Sequence, residues 1–373
     1  EWKTLEGEWV EPHKFGSIQD ARDFIKQYKE VPDFEIHGNS RFLYQYIAEK
    51  HPEFIKFDST KIRVFNIDIE TAAENGFPDV ESADQEILAI SIKDNFSGRI
   101  TVFGARAYDN NDPLVDYMHF RSEESMLGAF LDFWQTNYPD VITGWNVQLF
   151  DMPYIHNRIN RIMGEKFTKL LSPWKLVSQR EIFIKGRKQF AIDTLGISCL
   201  DYLELYKKFT YTNQESYRLD HICNVELGEK KLDHSEFDTF KEFYEKDWQK
   251  FIDYNIHDVR LVDKLDDKMK LIELAYTMAY DAKVNYEDVF SQVRMWDNYI
   301  YNELNKRKIA IPPKKESATK TEKYAGAYVK EPIPGFYDWV VSFDLNSLYP
   351  HLIMQYNISP ETLQDTRHST ATV

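Results

Sequence analysis

Cysteine is scarce. Cys199 and Cys223 are the only two in 373 residues, and their spacing suits neither a disulfide framework nor a metal site, which points to a reducing compartment such as the cytoplasm. Long apolar runs are missing too. No stretch of 18 apolar residues occurs, so no membrane span is expected. No secretory leader is expected from the opening residues. It starts at Glu1 rather than at a methionine, so further residues are expected upstream. Internal repeats and low-complexity tracts are absent, which excludes a repeat architecture. Positive charge is short as well: 46 Lys and Arg stand against 61 Asp and Glu, a net charge of −15. Spread evenly, that balance would exclude a polyanionic partner.

The charge is not spread evenly. Between His156 and Lys188 nine Lys or Arg face two Glu, a local surplus of seven. Such a stretch is either a solvated basic loop or a surface that tracks phosphates. What the chain does have is bulk. Hydrophobic residues make up 43%, with 23 Tyr and 25 Phe, enough for two or three domains with a sizeable core.

The element pattern predicts layered α/β structure. A helix follows Ser17, which suits an N-cap. The segments 63–71, 86–93 and 99–104 predict an antiparallel meander turning at 94–98. Ser122 to Tyr138 predicts a helix with Ser122 as cap and Glu123 and Glu124 in its first turn. Residues 140–146 predict a strand running into a loop, and 151–163 a helix with Pro153 near its start. Residues 182–192 predict a hairpin with Lys185-Gly186 at its basic tip. Helices are expected at 200–209, at 247–279 and at 295–306, and a polar linker at 314–323. Residues 339–345 predict another apolar strand, ending near a carboxylate.

Candidate chemistry starts in Arg63-Val64-Phe65-Asn66-Ile67-Asp68-Ile69-Glu70-Thr71. Phe65, Ile67 and Ile69 share one face of a strand by its period of two. Asp68 and Glu70 share the other. Two adjacent carboxylates at the end of an apolar strand repel each other and lose hydration, unless the strand edge is simply solvated. A divalent cation offsets that cost. Further along, Tyr254 and Asp258 lie four residues apart on one helix face, beside Phe251, Leu261 and Leu265. Asp151 opens a helix just beyond a strand, where ligands of α/β sheets often bind. Alone, Asp151 reads as an ordinary N-cap and Asp258 as a hydrogen-bonded core carboxylate. Together Asp68, Glu70, Asp151 and Asp258 form an oxygen set suited to Mg2+ or Mn2+ rather than Zn2+. Two such ions activate a water and stabilise a leaving oxygen in phosphodiester hydrolysis, and the Tyr254 hydroxyl can orient that water.

These segments resemble a known family. Asn66-Ile67-Asp68-Ile69-Glu70-Thr71, then Gly144-Trp145-Asn146 with Asp151-Met152-Pro153-Tyr154, then Tyr254-Asn255-Ile256-His257-Asp258 resemble the three exonuclease motifs of family B DNA polymerases, in order. Ser342-Phe343-Asp344-Leu345-Asn346-Ser347-Leu348-Tyr349-Pro350 resembles the first polymerase motif of that family. Tyr324-Ala325-Gly326-Ala327-Tyr328 resembles the motif that links the two activities. Segments 201–209 and 357–362 are similar to polymerases of tailed phages. The resemblance implies a ribonuclease H-like 3′-5′ exonuclease domain at 63–273. It also implies a partial N-terminal domain at 1–62, a helical return of that domain at 274–318, and the start of a palm at 319–373.

The resemblance also implies roles. Asp68 bridges two ions, Glu70 and Asp258 complete the one that activates water, Asp151 serves the other, and Tyr254 positions the water. Asn146 contacts the primer strand. Phe77 stacks on a terminal base, unless it is a buried turn aromatic. Lys185, Arg187 and Lys188 help part primer from template, unless the hairpin is purely structural. Tyr324 and Gly326 contact DNA. Asp344 carries a polymerase ion, and Tyr349 is a steric gate under the incoming sugar. Implied partners are single-stranded and primer-template DNA, a sliding clamp and a second chain carrying the rest of a polymerase, all in the cytoplasm, that of the host for a phage protein.

The pattern is incomplete. No Asp-Thr-Asp motif and no fingers helix with its Lys and Asn occur before Val373, and His351 stands where many relatives have Ser. One carboxylate cannot hold two ions, so no polymerisation by this chain alone is expected. A stand-alone exonuclease of DNA or RNA ends, and a binding or assembly subunit with idle carboxylates, are the rival readings.

Overall fold

The computed structural model describes residues 1–363 other than 30, 33, 75, 185, 186 and 313–325. The tip of the predicted hairpin, with Lys185, therefore lies outside the described residues, as does Tyr324. The chain divides into two units, 1–314 and 315–373.

The first unit opens with two short antiparallel strands, β1 (Trp2–Lys3) and β2 (Trp9–Val10), followed by helices α1 (Ile18–Tyr28) and α2 (Phe42–Lys50). Ser17 caps α1 as its sequence predicts, its Oγ accepting from the Asp20 N–H at 3.1 Å. Cap residues of this kind satisfy one of the amides that a helix start leaves without a partner.

Next come the strands of the main sheet: β3 (Val64–Thr71), β4 (Ile87–Asp94), β5 (Ile100–Gly104) and β6 (Val115–His119). Helix α3 (Glu123–Thr136), β7 (Val141–Thr143), α4 (Asp151–Met163) and α5 (Glu165–Thr168) follow. The sheet order is β10-β7-β3-β4-β5-β6, closed at one edge by β10 (Ser198–Cys199). β4 runs antiparallel to β3 and β5, and the other neighbours are parallel. The run β5-β4-β3-β7-β10, with one reversed strand, is the ribonuclease H-like arrangement that the resemblance implied. β6 was not foreseen. It is a short edge strand in which only Val115 is buried, so it carries no apolar alternation to read.

Period two decides which side of β3 does what. Phe65, Ile67 and Ile69 pack into a core with Met126, Phe130 and Trp134 of α3 and Ile155 and Ile159 of α4. The opposite face of the sheet packs against α8 (Phe240–Lys246) and α9 (Trp248–Met269) through Phe243, Phe251, Ile252 and Val259. Asn66 reaches α9, its Nδ2 donating to the Val259 carbonyl at 2.8 Å. Asp68 and Glu70 thus face α9.

Between β10 and α8 lie α6 (Tyr202–Phe209) and α7 (Leu219–Leu227), and after α9 come α10 (Leu271–Ala282) and α11 (Gln292–Lys306). The helix predicted over 247–279 is two helices. Lys270 sits in the left-handed region at φ 55, and Asp266 accepts the Ile272 N–H at 3.1 Å, which ends α9 and starts α10. Beyond α11 the backbone returns to the first strand: the Lys3 N–H donates to the Lys308 carbonyl at 3.1 Å and the Ala310 N–H to the Lys3 carbonyl at 2.8 Å. The hairpin is longer than its sequence suggests, with β8 (Val177–Ile184) paired to β9 (Arg187–Thr194).

One buried ion pair holds α3, α4 and the start of β4 together. The Arg158 guanidinium donates to both Glu123 oxygens, at 2.7 and 2.6 Å, and to the carbonyls of Ala83 and Asp84 at 2.9 and 3.1 Å. Glu123 also accepts the Ile87 N–H at 2.8 Å. Arg158→Met leaves that carboxylate buried and without its cation, so it lowers the unfolding free energy by about 3–5 kcal/mol. A urea titration checks this through a lower midpoint at unchanged slope.

The second unit contains α12 (Leu348–Tyr356). Residues 339–345 do not form the predicted strand. They are unpaired and exposed, and Trp339 has a left-handed φ of 59, so no ladder forms among the described residues of that unit and the backbone amides and carbonyls stay in water.

Candidate active site

The three segments of the sequence reading meet on the α9 side of β3. Asp68 and Glu70 come from the strand, and Asp258 comes from α9, halfway along its largely apolar buried face. One carboxylate oxygen from each lies within 4.8 Å of the others, and all such pairs are mutual. Asp258 is 3% exposed, while Asp68 and Glu70 are half-buried. The cluster is therefore walled by protein and open on one side.

Asp151 joins from α4. It is the first residue of that helix, and Phe150 holds the cap position. Its carboxylate is not spent on capping. Oδ1 accepts the Ile69 N–H at 3.0 Å, which ties the start of α4 to the strand between Asp68 and Glu70. The approach depends on Gly144 at the end of β7. Its φ is +156, and a Cβ there would lie 2.5 Å from the Ile67 carbonyl oxygen. No other residue lets the Gly144–Asn146 turn lie this close to β3.

Crowding four carboxylates has electrostatic consequences. Loss of hydration, then the charges of Asp151, Asp258 and Glu70, push the Asp68 carboxyl far above its usual range. Burial and then Asp258 push Glu70 up to about 8. Burial pushes Asp151 up to about 7, and it raises Asp258 as well. Among the described residues, Asp258 Oδ1 is buried without a hydrogen-bond partner. An all-oxygen set that holds protons near neutrality and keeps an unused buried lone pair fits a hard divalent cation.

One cation is already in place. Lys231, from the loop between α7 and α8, forms an ion pair with Asp258 Oδ2 and donates to the Tyr254 hydroxyl at 3.0 Å. Its ammonium also lies 4.9 Å from the Tyr254 ring centroid. Burial would lower its pKa, but Asp258, Tyr254 and Asp68 outweigh that and raise it. The sequence reading missed Lys231. It sits in Glu229-Lys230-Lys231, which has the look of a solvated charge run, and only the fold brings it to Asp258. Asn255, Ser91 and Asp201 were missed too. Asp201 accepts the N–H groups of Asn146 and Gln148 at 3.1 and 3.0 Å and caps α6 through the Leu203 N–H. It thereby holds the turn that carries Asn146, whose φ is +69.

Comparison with known proteins decides the family. The profile described as DNA polymerase family B, exonuclease domain, matches residues 29–222. The chain belongs to DNA polymerase family B. A second profile, DNA polymerase family B, matches residues 291–373. The chain is 38% identical over 377 residues to the DNA-directed DNA polymerase of Escherichia phage RB69, covering 94% of this chain and 41% of that protein. It is 34% identical over 390 residues to the DNA-directed DNA polymerase of Enterobacteria phage T4, covering 97% and 42%. A DNA polymerase of Thermococcus gorgonarius is 26% identical over 355 residues, covering 92% and 42%. This family B chain thus spans about two-fifths of the length of the curated relatives it matches.

The remaining candidates of the family B reading fall into three groups. Phe77 is 86% exposed, which excludes a buried turn aromatic, and its ring lies 5.7 Å from that of Phe150, next to Asp151. Asn146 is half-buried on the turn described above. Lys188, on β9, pairs with Glu181 at 2.7 Å across the hairpin, so part of the basic surplus is neutralised locally; Arg187 begins the same strand. Gly326, Asp344 and Tyr349 belong to the second unit, with Tyr349 in the first turn of α12 and exposed. No described helix is long and apolar enough to cross a membrane.

Proposed function

We propose that residues 63–273 form a 3′-5′ exonuclease domain that removes terminal nucleotides from single-stranded DNA by two-ion hydrolysis, and that it proofreads within a replicative family B polymerase. The observation that carries this reading is the joining of Asp68, Glu70 and Asp258 within 4.8 Å beside a Tyr254 hydroxyl held by Lys231. In this reading Asp68, Glu70 and Asp258 hold one Mg2+ or Mn2+, and Asp68 with Asp151 a second. Such ions, when bound, make a water nucleophilic at neutral pH and stabilise the leaving oxygen.

The chain's own residues do the rest. The Tyr254 hydroxyl keeps its proton, because burial and then Asp258 raise its pKa, so it can donate to or accept from an incoming water. Lys231 aims that hydroxyl and brings positive charge to where phosphate charge develops. Phe77 offers an exposed ring, packed near that of Phe150, on which a terminal base can stack, a contact worth about 1–3 kcal/mol. Asn146 is held where it can touch the same strand. Residues 1–62 and 274–318 belong in this reading to one N-terminal domain, supported by the return of 308–310 to the first strand. Residues 319–373 belong to a palm in which Asp344 holds an ion and Tyr349 gates the sugar. Lacking an Asp-Thr-Asp motif, this stretch needs further carboxylates before it can polymerise.

Tyr254→Phe tests the assignment. Losing one hydrogen bond to the reacting water lowers the hydrolysis rate by roughly 10- to 100-fold, with single-stranded DNA affinity unchanged. Digestion of a 5′-labelled oligonucleotide and anisotropy binding measure the two. Equal losses in both would move Tyr254 to a structural role. Digestion of a matched RNA oligonucleotide at the DNA rate would favour an exonuclease of general ends.

A further inference from the structure

Asp68 is held from the side by a two-residue chain that none of the exonuclease carboxylates includes. Ser91 on β4 is the direct cross-strand partner of Asp68, on the same face of the sheet, and is fully buried. Asn255 on α9 is also fully buried and lies above both. Its Nδ2 donates to Asp68 Oδ2 at 2.6 Å, and its Oδ1 accepts from the Ser91 hydroxyl.

The amide could in principle turn over, exchanging its oxygen and nitrogen. Turned over, it would set a carbonyl oxygen against a carboxylate, two acceptors with no proton between them. The Ser91 hydroxyl, donating to Oδ1, anchors the other end of the amide while Nδ2 points at Asp68. The pattern recurs around the cluster: Lys231 grips one oxygen of Asp258 and leaves the other unpartnered, and Ile69 grips Asp151 through one oxygen. Asp68, Asp258 and Asp151 are thus each gripped through one oxygen by a protein donor.

We infer that Ser91 and Asn255 are positioning residues for Asp68: Ser91 fixes the Asn255 amide, and Asn255 fixes the Asp68 carboxylate so that it can ligate two divalent ions at once. Neither touches substrate. The inference rests on reading the cluster as a metal site. Groups that orient a ligand in this way typically change metal affinity by about 10- to 100-fold when removed.

Mn2+ binding to the purified chain, followed by calorimetry and by electron paramagnetic resonance without DNA, tests it. Asn255→Leu weakens Mn2+ binding by about 10- to 100-fold. Ser91→Ala weakens it less but measurably, and Ser91→Thr, which keeps the hydroxyl, restores wild-type affinity. Wild-type affinity in both Asn255→Leu and Ser91→Ala, with binding lost in Asp68→Ala, overturns the inference and leaves the metal site standing. Binding in Asp68→Ala equal to wild type overturns the metal site itself, and the inference with it. Where Asn255→Leu does not fold, Ser91→Ala against Ser91→Thr decides: equal affinities in the two overturn the inference.

Discussion

Asp68→Ala abolishes digestion of a 5′-labelled single-stranded oligonucleotide in Mg2+, a loss of roughly a thousandfold or more. The size follows from the position. Asp68 is the one carboxylate that both ions share in the proposed mechanism, and metal ions supply several kcal/mol of transition-state charge stabilisation, each 1.4 kcal/mol being a factor of ten. The milder Asp68→Asn is as inactive, because an amide is a poor ligand for Mg2+, yet its oxygen can still accept from Asn255. Its effect on the metal-free fold has the opposite sign. Asp68 faces Asp151, Asp258 and Glu70 with little hydration to spread the charge, so removing its charge relieves repulsion. The metal-free Asp68→Asn protein melts higher than wild type, by about 2–4 °C per kcal/mol of relief. Digestion at wild-type rate by either variant sinks the two-ion assignment. An unchanged or lower melting point sinks the electrostatic account.

The same repulsion gives stability a pH dependence with a definite sign. The Glu70 carboxyl has a usual value of 4.5 and is pushed up to about 8 in the fold. Between those values the folded chain holds a proton that the unfolded chain has released. Stability of the metal-free protein therefore falls as pH rises through that window, and the full penalty is present above it. Asp151, pushed up to about 7, adds to the slope in the same direction. Metal binds the deprotonated carboxylates, so Mn2+ raises the melting temperature more at pH 8 than at pH 6.

Much of this site is legible in the sequence because its signals are local. Alternation in 64–71 puts Asp68 and Glu70 on one face, and the sheet keeps that face toward α9. The i, i+4 relation of Tyr254 and Asp258 survives unchanged inside α9. Asp151 is legible as a carboxylate at a helix start beyond a strand, though its partner, the Ile69 N–H, is not. The rest depends on distance in the chain. Lys231 reaches Asp258 only because the loop after α7 folds across α9. Ser91 is a small polar residue within the apolar run Ile87 to Ile92, and Asn255 is a buried amide on a helix. Each is a weak sign of a hidden partner, but neither says that the other, or Asp68, is that partner. The break at Lys270 and the unformed strand at 339–345 fail for a different reason. Apolar pattern gives the type of element but neither a left-handed residue that splits a helix nor the neighbour that a strand needs.

Lys231→Met lowers hydrolysis by about 100-fold, on the scale of removing one preorganised donor from a charged transition state, and it separates charge from ligation. Its effect on activity has the same sign as that of Asp68→Asn, and its effect on the metal-free fold has the opposite sign. Lys231 is the counter-ion of Asp258, a carboxylate 3% exposed, and breaking a buried pair from one side costs about 3 kcal/mol or more. The metal-free Lys231→Met protein therefore melts lower than wild type where Asp68→Asn melts higher. A divalent ion at the cluster replaces part of the lost positive charge, so Mn2+ restores more melting temperature to Lys231→Met than it adds to wild type. Lys231→Arg keeps the charge but spreads it over a planar fork that cannot make the same compact contact with both Tyr254 and Asp258, so it recovers stability more fully than rate. Thermal melts with and without Mn2+, run beside the digestion assay on all three variants, read these signs directly. A Lys231→Met protein that digests DNA at wild-type rate while melting lower would reduce Lys231 to a counter-ion with no part in hydrolysis.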